Sequence, residues 1–228
     1  MPQIKIHNKG YNPYEVALKE QQELFQELIS AKQNGLQLPN HLLLNIHEPV
    51  ITLGLHAKNN NVLLPANQLA DMGIKVFQTQ RGGDVTYHGP GQWTIYPILD
   101  LESIGIGVRE YVFRLEQVVL DMLAKYGIRG ERISGAAGVW VRRPDAYPEK
   151  VCAVGIRCSH FVTMHGIALN VNTYLPHFQL INPCGYTDKG VTSLAALLGQ
   201  ELDMNRVAQD FIAHFIAAFN LDVAEPEI

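Results

Sequence analysis

A twelve-residue stretch, Arg81–Gln92 (RGGDVTYHGPGQ), limits what this chain can fold into more than any other. Four glycines and five polar or charged residues sit there between two apolar runs. Gly82–Gly83 supplies backbone that reaches positive φ and lets another group come close. Gly89–Pro90–Gly91 is a second sharp turn, with proline fixing its own φ between two free neighbours. Between the turns, Val85–Thr86–Tyr87 reads as a short strand presenting Asp84, Tyr87 and His88. The plain reading is an irregular β-hairpin with a satisfied histidine. The sharper one is a ligand-binding loop, and the stretch alone leaves both open.

The flanking sequence supplies strands and helices in turn. Asn12 as cap and Pro13 at the first helical position open a helix over residues 13–34, with Val16, Ala17, Leu24, Phe25, Leu28 and Ile29 at helical spacing and Asn34–Gly35 as its stop. Leu42–Ile46 and Val50–Leu53 read as strands around Glu48–Pro49. Pro65–Met72 reads as a short helix, and Ile74–Thr79 and Trp93–Leu99 as strands on either side of the glycine stretch. Val108–Tyr126 is a helix with Val108, Val112, Leu115, Val119 and Met122 on one stripe. Val139–Val141, Val151–Arg157 and Phe161–Val171 are further strands, with Arg142–Pro148 a loop. After a break from Pro176 to Gly190, Thr192 can cap a helix through Leu198. Asp203 or Asn205 can cap the last helix, which points Val207, Phe211, Ile212, Phe215 and Phe219 at the core. Clustered strands with flanking helices predict an α+β class with a mixed or largely antiparallel sheet, because strict strand–helix alternation is missing.

Composition narrows the function. The chain has 228 residues, 47% of them hydrophobic, which suits one domain over 1–228. No run approaches the roughly 18 apolar residues of a membrane span, and no signal-like segment opens the chain, so a protein that is not exported and has no membrane partner is expected. Three cysteines make no disulfide framework and point to a reducing cytoplasm. A net charge of −4 argues against nucleic-acid binding. No phosphate-cradling or dinucleotide motif is present, and none of the nine histidines falls at zinc-ligand spacing, so no cofactor and no metal are expected.

The candidate reactive residues each have a bland reading. Cys152 and Cys158 sit among apolar strand residues and read as small core side chains. Cys184 stands in a loop between Pro183 and Gly185, where a thiol can be presented, although a loop cysteine is more often inert. Lys150, at a strand start, reads as a solvated lysine or as a cation that lowers a thiol pKa. His165 reads as a core-edge histidine bonded to backbone.

Taken in order, HEPVITLG (His47–Gly54), NVLL (Asn61–Leu64), RGGDVTYHGPGQ, GVWV (Gly138–Val141), KVCAVGIR (Lys150–Arg157), HGIALNVN (His165–Asn172), INPCGY (Ile181–Tyr186) and VTSL (Val191–Leu194) resemble the lipoyl(octanoyl) transferase family, also called lipoate–protein ligase B. The resemblance runs from about residue 13 to 200. It implies a fold shared with biotin and lipoate ligases, a mixed sheet flanked by helices with a smaller second sheet. It implies an acyltransferase that moves octanoyl from octanoyl-acyl carrier protein to a lysine of lipoyl domains, in 2-oxoacid dehydrogenase complexes and the glycine cleavage H protein. Cys184 maps to the acyl-thioester cysteine and Lys150 to the lysine that activates it. The substrate-binding stretches map to Arg81, Gly82, Gly83, Asp84, Val85, Thr86, Tyr87 and His88, to Ala153, Val154 and Gly155, and to Gly166, Ile167 and Ala168. A monomer is expected.

Thioester exchange with a thiolate needs no ATP, which agrees with the missing phosphate motif. An eight-carbon chain needs an apolar slot, and burying about seven carbons contributes up to roughly 5–6 kcal/mol before ordering. Gly82, Gly83, Gly155 and Gly166 are expected to leave it room, and Val85, Val154, Ile167 and Leu169 to line it. Acidic partner proteins require a local basic patch on an acidic chain, and Arg142, Arg143, Lys150 and Arg157 are the candidates. After GIR this chain carries Cys158–Ser159–His160 where family members often carry basic residues, which touches carrier docking rather than chemistry.

Overall fold

The protein is described from a computed structural model. It covers residues 1–57, 59–144, 146–182 and 189–224, with only the backbone of Asn59. Cys184 lies outside the described residues. In chain order the elements are β1 (Gln3–Tyr11), α1 (Tyr14–Gln33), β2 (Asn40–Ile46), β3 (Val50–Leu53), α2 (Ala66–Asp71), β4 (Lys75–Gln78), β5 (Val85–His88), β6 (Gln92–Ile98), α3 (Leu101–Ile104) and α4 (Val108–Lys125). They continue as β7 (Gly130–Ile133), β8 (Ala136–Val141), β9 (Glu149–Ser159), β10 (Val162–Asn170), β11 (Gly190–Val191), α5 (Leu194–Leu198), α6 (Met204–Phe219) and β12 (Asp222–Val223). A 3₁₀ turn at Leu175–Leu180 precedes the break.

Among the described residues the strands form a nine-stranded sheet, ordered β12-β1-β2-β6-β10-β9-β8-β7 with β11 beside β9, and a three-stranded sheet, β4-β3-β5. The pairs from β2 to β7 are antiparallel, while β1 runs parallel to β2 and β12. The mixed, largely antiparallel sheet and the smaller second sheet agree with the expected class.

Side-chain alternation sorts the large sheet into two faces. Trp93 and Ile95 of β6 and Ile167 and Leu169 of β10 pack under α4 and α6, against Leu115, Val119, Phe211 and Phe215. Tyr96 and Ile98 of β6, Leu43 of β2 and Met164 of β10 turn to the other face, where α1 covers part of it with Ala17, Phe25 and Leu28. The small sheet has its own cluster, Ile51, Ile74, Val85, Tyr87 and Ile181.

Several local expectations change. The strands β1 and β7 were not expected, while β8 extends the expected Val139–Val141 strand back to Ala136; Ile4 and Ile6 alternate with polar residues over too short a run to mark β1 alone. Helix α1 is capped not by Asn12 but from across the sheet, the Tyr14 N–H donating to the Glu48 carboxylate at 2.9 Å, while Asn12 donates to Asn45. Val16 and Val108 are exposed rather than core-facing. Ser193, not Thr192, caps α5, and Asp203 caps α6, accepting from the N–H of Asn205 and Arg206.

Candidate active site

A cavity of about 310 Å³ opens on the α1 face of the large sheet, between it and the small sheet. Its walls come from β5 and the turn before it, from β6, and from β8, β9, β10 and β11. That volume is at the lower end for small-ligand sites. Arg81, Gly83, Asp84, Val85, Thr86, His88, Lys150, Ala153, Val154, Gly155, Gly166, Ile167 and Ala168 all border it. Two expected residues do not. The Gly82 N–H donates to the Ile156 carbonyl at 2.7 Å and joins the glycine turn to β9. Tyr87 is buried in the small sheet's cluster, its hydroxyl 2.8 Å from His177 Nδ1.

A bulge in β9 aims Lys150. Val139 of β8 pairs with Cys152 while the next residue, Trp140, pairs with Lys150, so Val151 is an extra residue. Val151 and Cys152 therefore both face the core, and Lys150 turns to the opposite face. Its Nζ lies 4.6 Å from the centre of the Trp140 ring, which supports the cation without neutralising it. Gly138, at φ 118°, leaves space for the β9 backbone, since a Cβ there would stand 2.5 Å from the Cys152 carbonyl oxygen. On the other side, Val191 of β11 pairs with Lys150. The sequence neighbours of Cys184 within the described residues are thus anchored: the Asn182 N–H donates to the Asn61 carbonyl, and Lys189 and Gly190 line the cavity.

A buried hydrogen-bond relay ties the two sheets together. Arg81 donates from Nε to Thr52 Oγ1 at 3.0 Å and from a terminal nitrogen to the Thr52 carbonyl. Thr52 Oγ1 lies 3.3 Å from His88 Nε2, and His88 Nδ1 lies 2.8 Å from Gln92 Oε1. Gln92 donates from Nε2 to Asn170 Oδ1, and Asn170 donates to the Thr192 carbonyl at 3.0 Å. An acceptor at Gln92 Oε1 assigns the proton to His88 Nδ1 and leaves Nε2 to accept from Thr52. Burial, with His47 and Arg81 nearby, pushes the His88 pKa down to about 3, so the ring is neutral. Asn61 donates a short hydrogen bond to Asp84.

His165 is buried, as its bland reading had it. It sits in β10 at φ 60°, and its N–H donates to the Gln21 side chain at 3.1 Å. A left-handed non-glycine residue in a strand beside a cavity is the kind of strain found at functional sites. Burial, with Arg81 and Arg157 next, lowers its pKa to about 3.

The glycines serve backbone contacts more than the slot. A Cβ on Gly166 would lie 2.2 Å from the Ile95 carbonyl oxygen, one on Gly155 would lie 3.0 Å from the Gly82 carbonyl oxygen, and Gly83 has φ 86°. Of the expected apolar lining, Val85, Val154 and Ile167 border the cavity and Leu169 does not, but three of these side chains point away from it. Val154, Ile167 and Leu169 pack into the α4/α6 core, and Ala153 and Ala168 take the cavity face. Cys152 is core, as its bland reading had it, with burial pushing its thiol pKa up. The basic patch is divided. Arg142 and Arg143 pair with Glu131 and Glu149, whereas Arg157 stacks over Phe25, seven residues from Lys150 and roughly 20 Å along the strand. Sequence reasoning passed over Tyr14, Thr94, Tyr96, Trp140 and Asn170; only polar residues within apolar strands, at Thr94 and Asn170, gave a usable signal.

The pattern of the lipoyl protein ligase A/B catalytic domain matches residues 13–216. The chain is 49% identical over 204 residues to a protein named octanoyltransferase from Porphyromonas gingivalis, covering 89% of this chain and 41% of that one, so it spans less than half of that relative. An octanoyltransferase of Bacteroides fragilis is 47% identical over 206 residues, 90% of this chain and 93% of the relative. Among solved structures, the bipartite lipoate protein ligase of Thermoplasma acidophilum superposes with a TM-score of 0.72 at 12% identity, over 100% of this chain and 88% of that one. The biotin protein ligase of Aquifex aeolicus in complex with biotin and ATP gives 0.52 at 13%, over 96% and 71%. At such identities the likeness is one of fold.

Proposed function

Because the chain belongs to the lipoyl protein ligase A/B catalytic-domain family, we propose that it is an octanoyltransferase, taking octanoyl from the thioester of an acyl carrier protein and delivering it to a lysine of a lipoyl domain through Cys184. The observation that carries this reading is Lys150, turned by the β9 bulge onto an apolar cavity beside the chain that leads from Cys184.

The chemistry follows from those parts. A thiol at neutral pH is only a few per cent ionised, and a nearby ammonium favours the thiolate. The Cys184 thiolate attacks the thioester carbonyl, the carrier's thiolate leaves, and the acyl group is held as a new thioester on Cys184. The target lysine, as free amine, attacks that thioester; the C–S bond breaks, the Cys184 thiolate is regenerated, and the amine's proton leaves by way of Lys150 or solvent. The alkyl tail lies against Ala153, Ala168 and Val85, where burial supplies binding energy. The Arg81–His88 relay is neutral at His88 and shapes the wall rather than moving protons. Acceptors in this reading are lipoyl domains of 2-oxoacid dehydrogenase complexes and the glycine cleavage H protein, met by a monomer in the cytoplasm. No helix among the described residues is long and apolar enough to cross a membrane.

Intact mass spectrometry after mixing with octanoyl-acyl carrier protein tests it. The wild type should gain one octanoyl group that hydroxylamine removes, and Cys184→Ser should show no hydroxylamine-labile adduct. A wild type that stays unmodified yet transfers octanoyl, or that needs ATP to do so, would overturn the Cys184 intermediate.

A further inference from the structure

Two polar side chains border the cavity with no hydrogen-bond partner among the described residues, the Tyr14 hydroxyl and the His165 imidazole. Both residues are buried, at 2% and 3% exposure. Their polar atoms are not sealed inside the protein as Thr94 Oγ1, Asn45 Nδ2 and Gln21 Nε2 are, so the space they meet is the cavity. Both sit under α1. Tyr14 and Gln21 lie two turns apart on one face of that helix, and Gln21 accepts the His165 N–H at 3.1 Å. The Tyr14 ring stacks on His88 with ring centres 6.1 Å apart, and His88 and Arg81 are near neighbours of His165 as well.

The backbone is bent to put His165 there. Ile167 and Leu169 of β10 face the α4/α6 core, and alternation places His165 on that side too, with its β9 partner Ile156. The left-handed φ of 60° turns its ring to the cavity instead. Lys189 and Gly190 border both the cavity and an outer groove around Arg143 and Tyr147, and Val191 pairs with Lys150, so Lys150 stands near the mouth. Ile156 is six residues further along β9; less the extra residue at Val151, that is roughly 17 Å of strand. An extended eight-carbon alkyl chain covers roughly 9 Å. His165 therefore stands at the inner end, away from the thiol chemistry.

The geometry points to a polar subsite at the inner end of the slot, in which the His165 imidazole and the Tyr14 hydroxyl bind the terminal hydroxyl of an ω-hydroxyacyl chain. This rests on the octanoyl-transfer reading above. A purely alkyl tail has no use for two polar groups, and burying them unmet is costly. Both are uncharged, since burial lowers the His165 pKa to about 3 and raises that of Tyr14 to about 12. Each can donate and accept, as a hydroxyl does. Arg81 does not turn the subsite towards an anion, because its three nitrogens already donate to oxygens of Thr52 and Gly82. A hydroxyl buried without such partners loses roughly 5- to 150-fold in binding.

The test compares pantetheine thioesters of eight, ten and twelve carbons, each with and without an ω-hydroxyl. In the wild type the ratio of kcat/KM, hydroxylated over plain, should reach or exceed one at the length that brings the hydroxyl to His165. Tyr14→Phe removes only the phenol oxygen and should lower that ratio about fivefold or more. His165→Gly, which the left-handed backbone accepts, should do the same. Lost packing alone would slow both members of each pair alike and leave the ratio where it was. A wild-type ratio below one at every length, or a ratio that either variant leaves unchanged, overturns the proposal. Binding of non-transferable acyl-pantetheine amides separates the two readings. A hydroxyl advantage that depends on Tyr14 and His165, without any transfer, keeps the subsite and removes the transferase. Transfer without such an advantage removes the subsite alone.

Discussion

Lowering the pH from 7 to 5 should weaken this fold sharply, because it keeps histidines neutral at its centre. His88 and His165 have pKa values held down at about 3, while an unfolded histidine titrates near 6.5. A lowered histidine pKa means that the folded state refuses a proton which the unfolded state takes. The stabilisation is whole above pH 6.5 and is lost as pH falls towards 3. Between pH 7 and 5 each such histidine costs about 2 kcal/mol by linkage, and the pair at most about 4 kcal/mol. That is a large part of a typical stability of about 5–15 kcal/mol. Buried His41, held down at about 4, adds to this loss. The lowered carboxyl pKa values of Glu48 and Asp210 act below pH 5 and leave this window to the histidines. Urea unfolding at pH 7 and pH 5, for wild type and His165→Asn, reads it directly. The variant is expected to lose about 2 kcal/mol less than wild type over that range, whatever its stability at pH 7. Equal losses in the two proteins, or a wild type equally stable at both values, would refute the reasoning.

Gly166→Ala should lower stability by about 1–3 kcal/mol, because its Cβ meets the Ile95 carbonyl, whereas Gly107→Ala, which meets nothing, should stay within about 0.5 kcal/mol; thermal melts compare them. Asn170→Ala leaves Thr192 O and one Gln92 donor unpaired, which predicts a loss of about 2–4 kcal/mol and a Tm lower by about 5–15 °C. Lys150→Met should move the pH midpoint of Cys184 alkylation up by about one unit or more, followed by peptide mass. A midpoint that does not move would remove Lys150 from the activation step.

Much of the fold is written locally. Pro13 and Gly35 bracket α1, Asp203 caps α6, and the alternating apolar residues of β6 and β10 mark buried strands whichever partner they find. The Arg81–Gln92 stretch shows itself as sharply turned, glycine-rich backbone, and much of it borders the cavity. Motif order then carries the family, since INPCGY and KVCAVGIR keep their residues wherever the chain bends between them.

Other features exist only once the strands are paired. The face on which Lys150 emerges depends on a bulge at Val151, and one residue of register exchanges every side chain between core and cavity. That is why the Ala153 and Ala168 side chains face the cavity, while those of Val154, Ile167 and Leu169, expected to line the slot, pack into the core. The closeness of Gly82 to Ile156, the Glu48 cap on α1 and the separation of Arg157 from Arg143 join or part residues distant in sequence. Local preference acts over a few residues, whereas a site is made by the long-range pairing of strands, and that pairing decided what Lys150 faces.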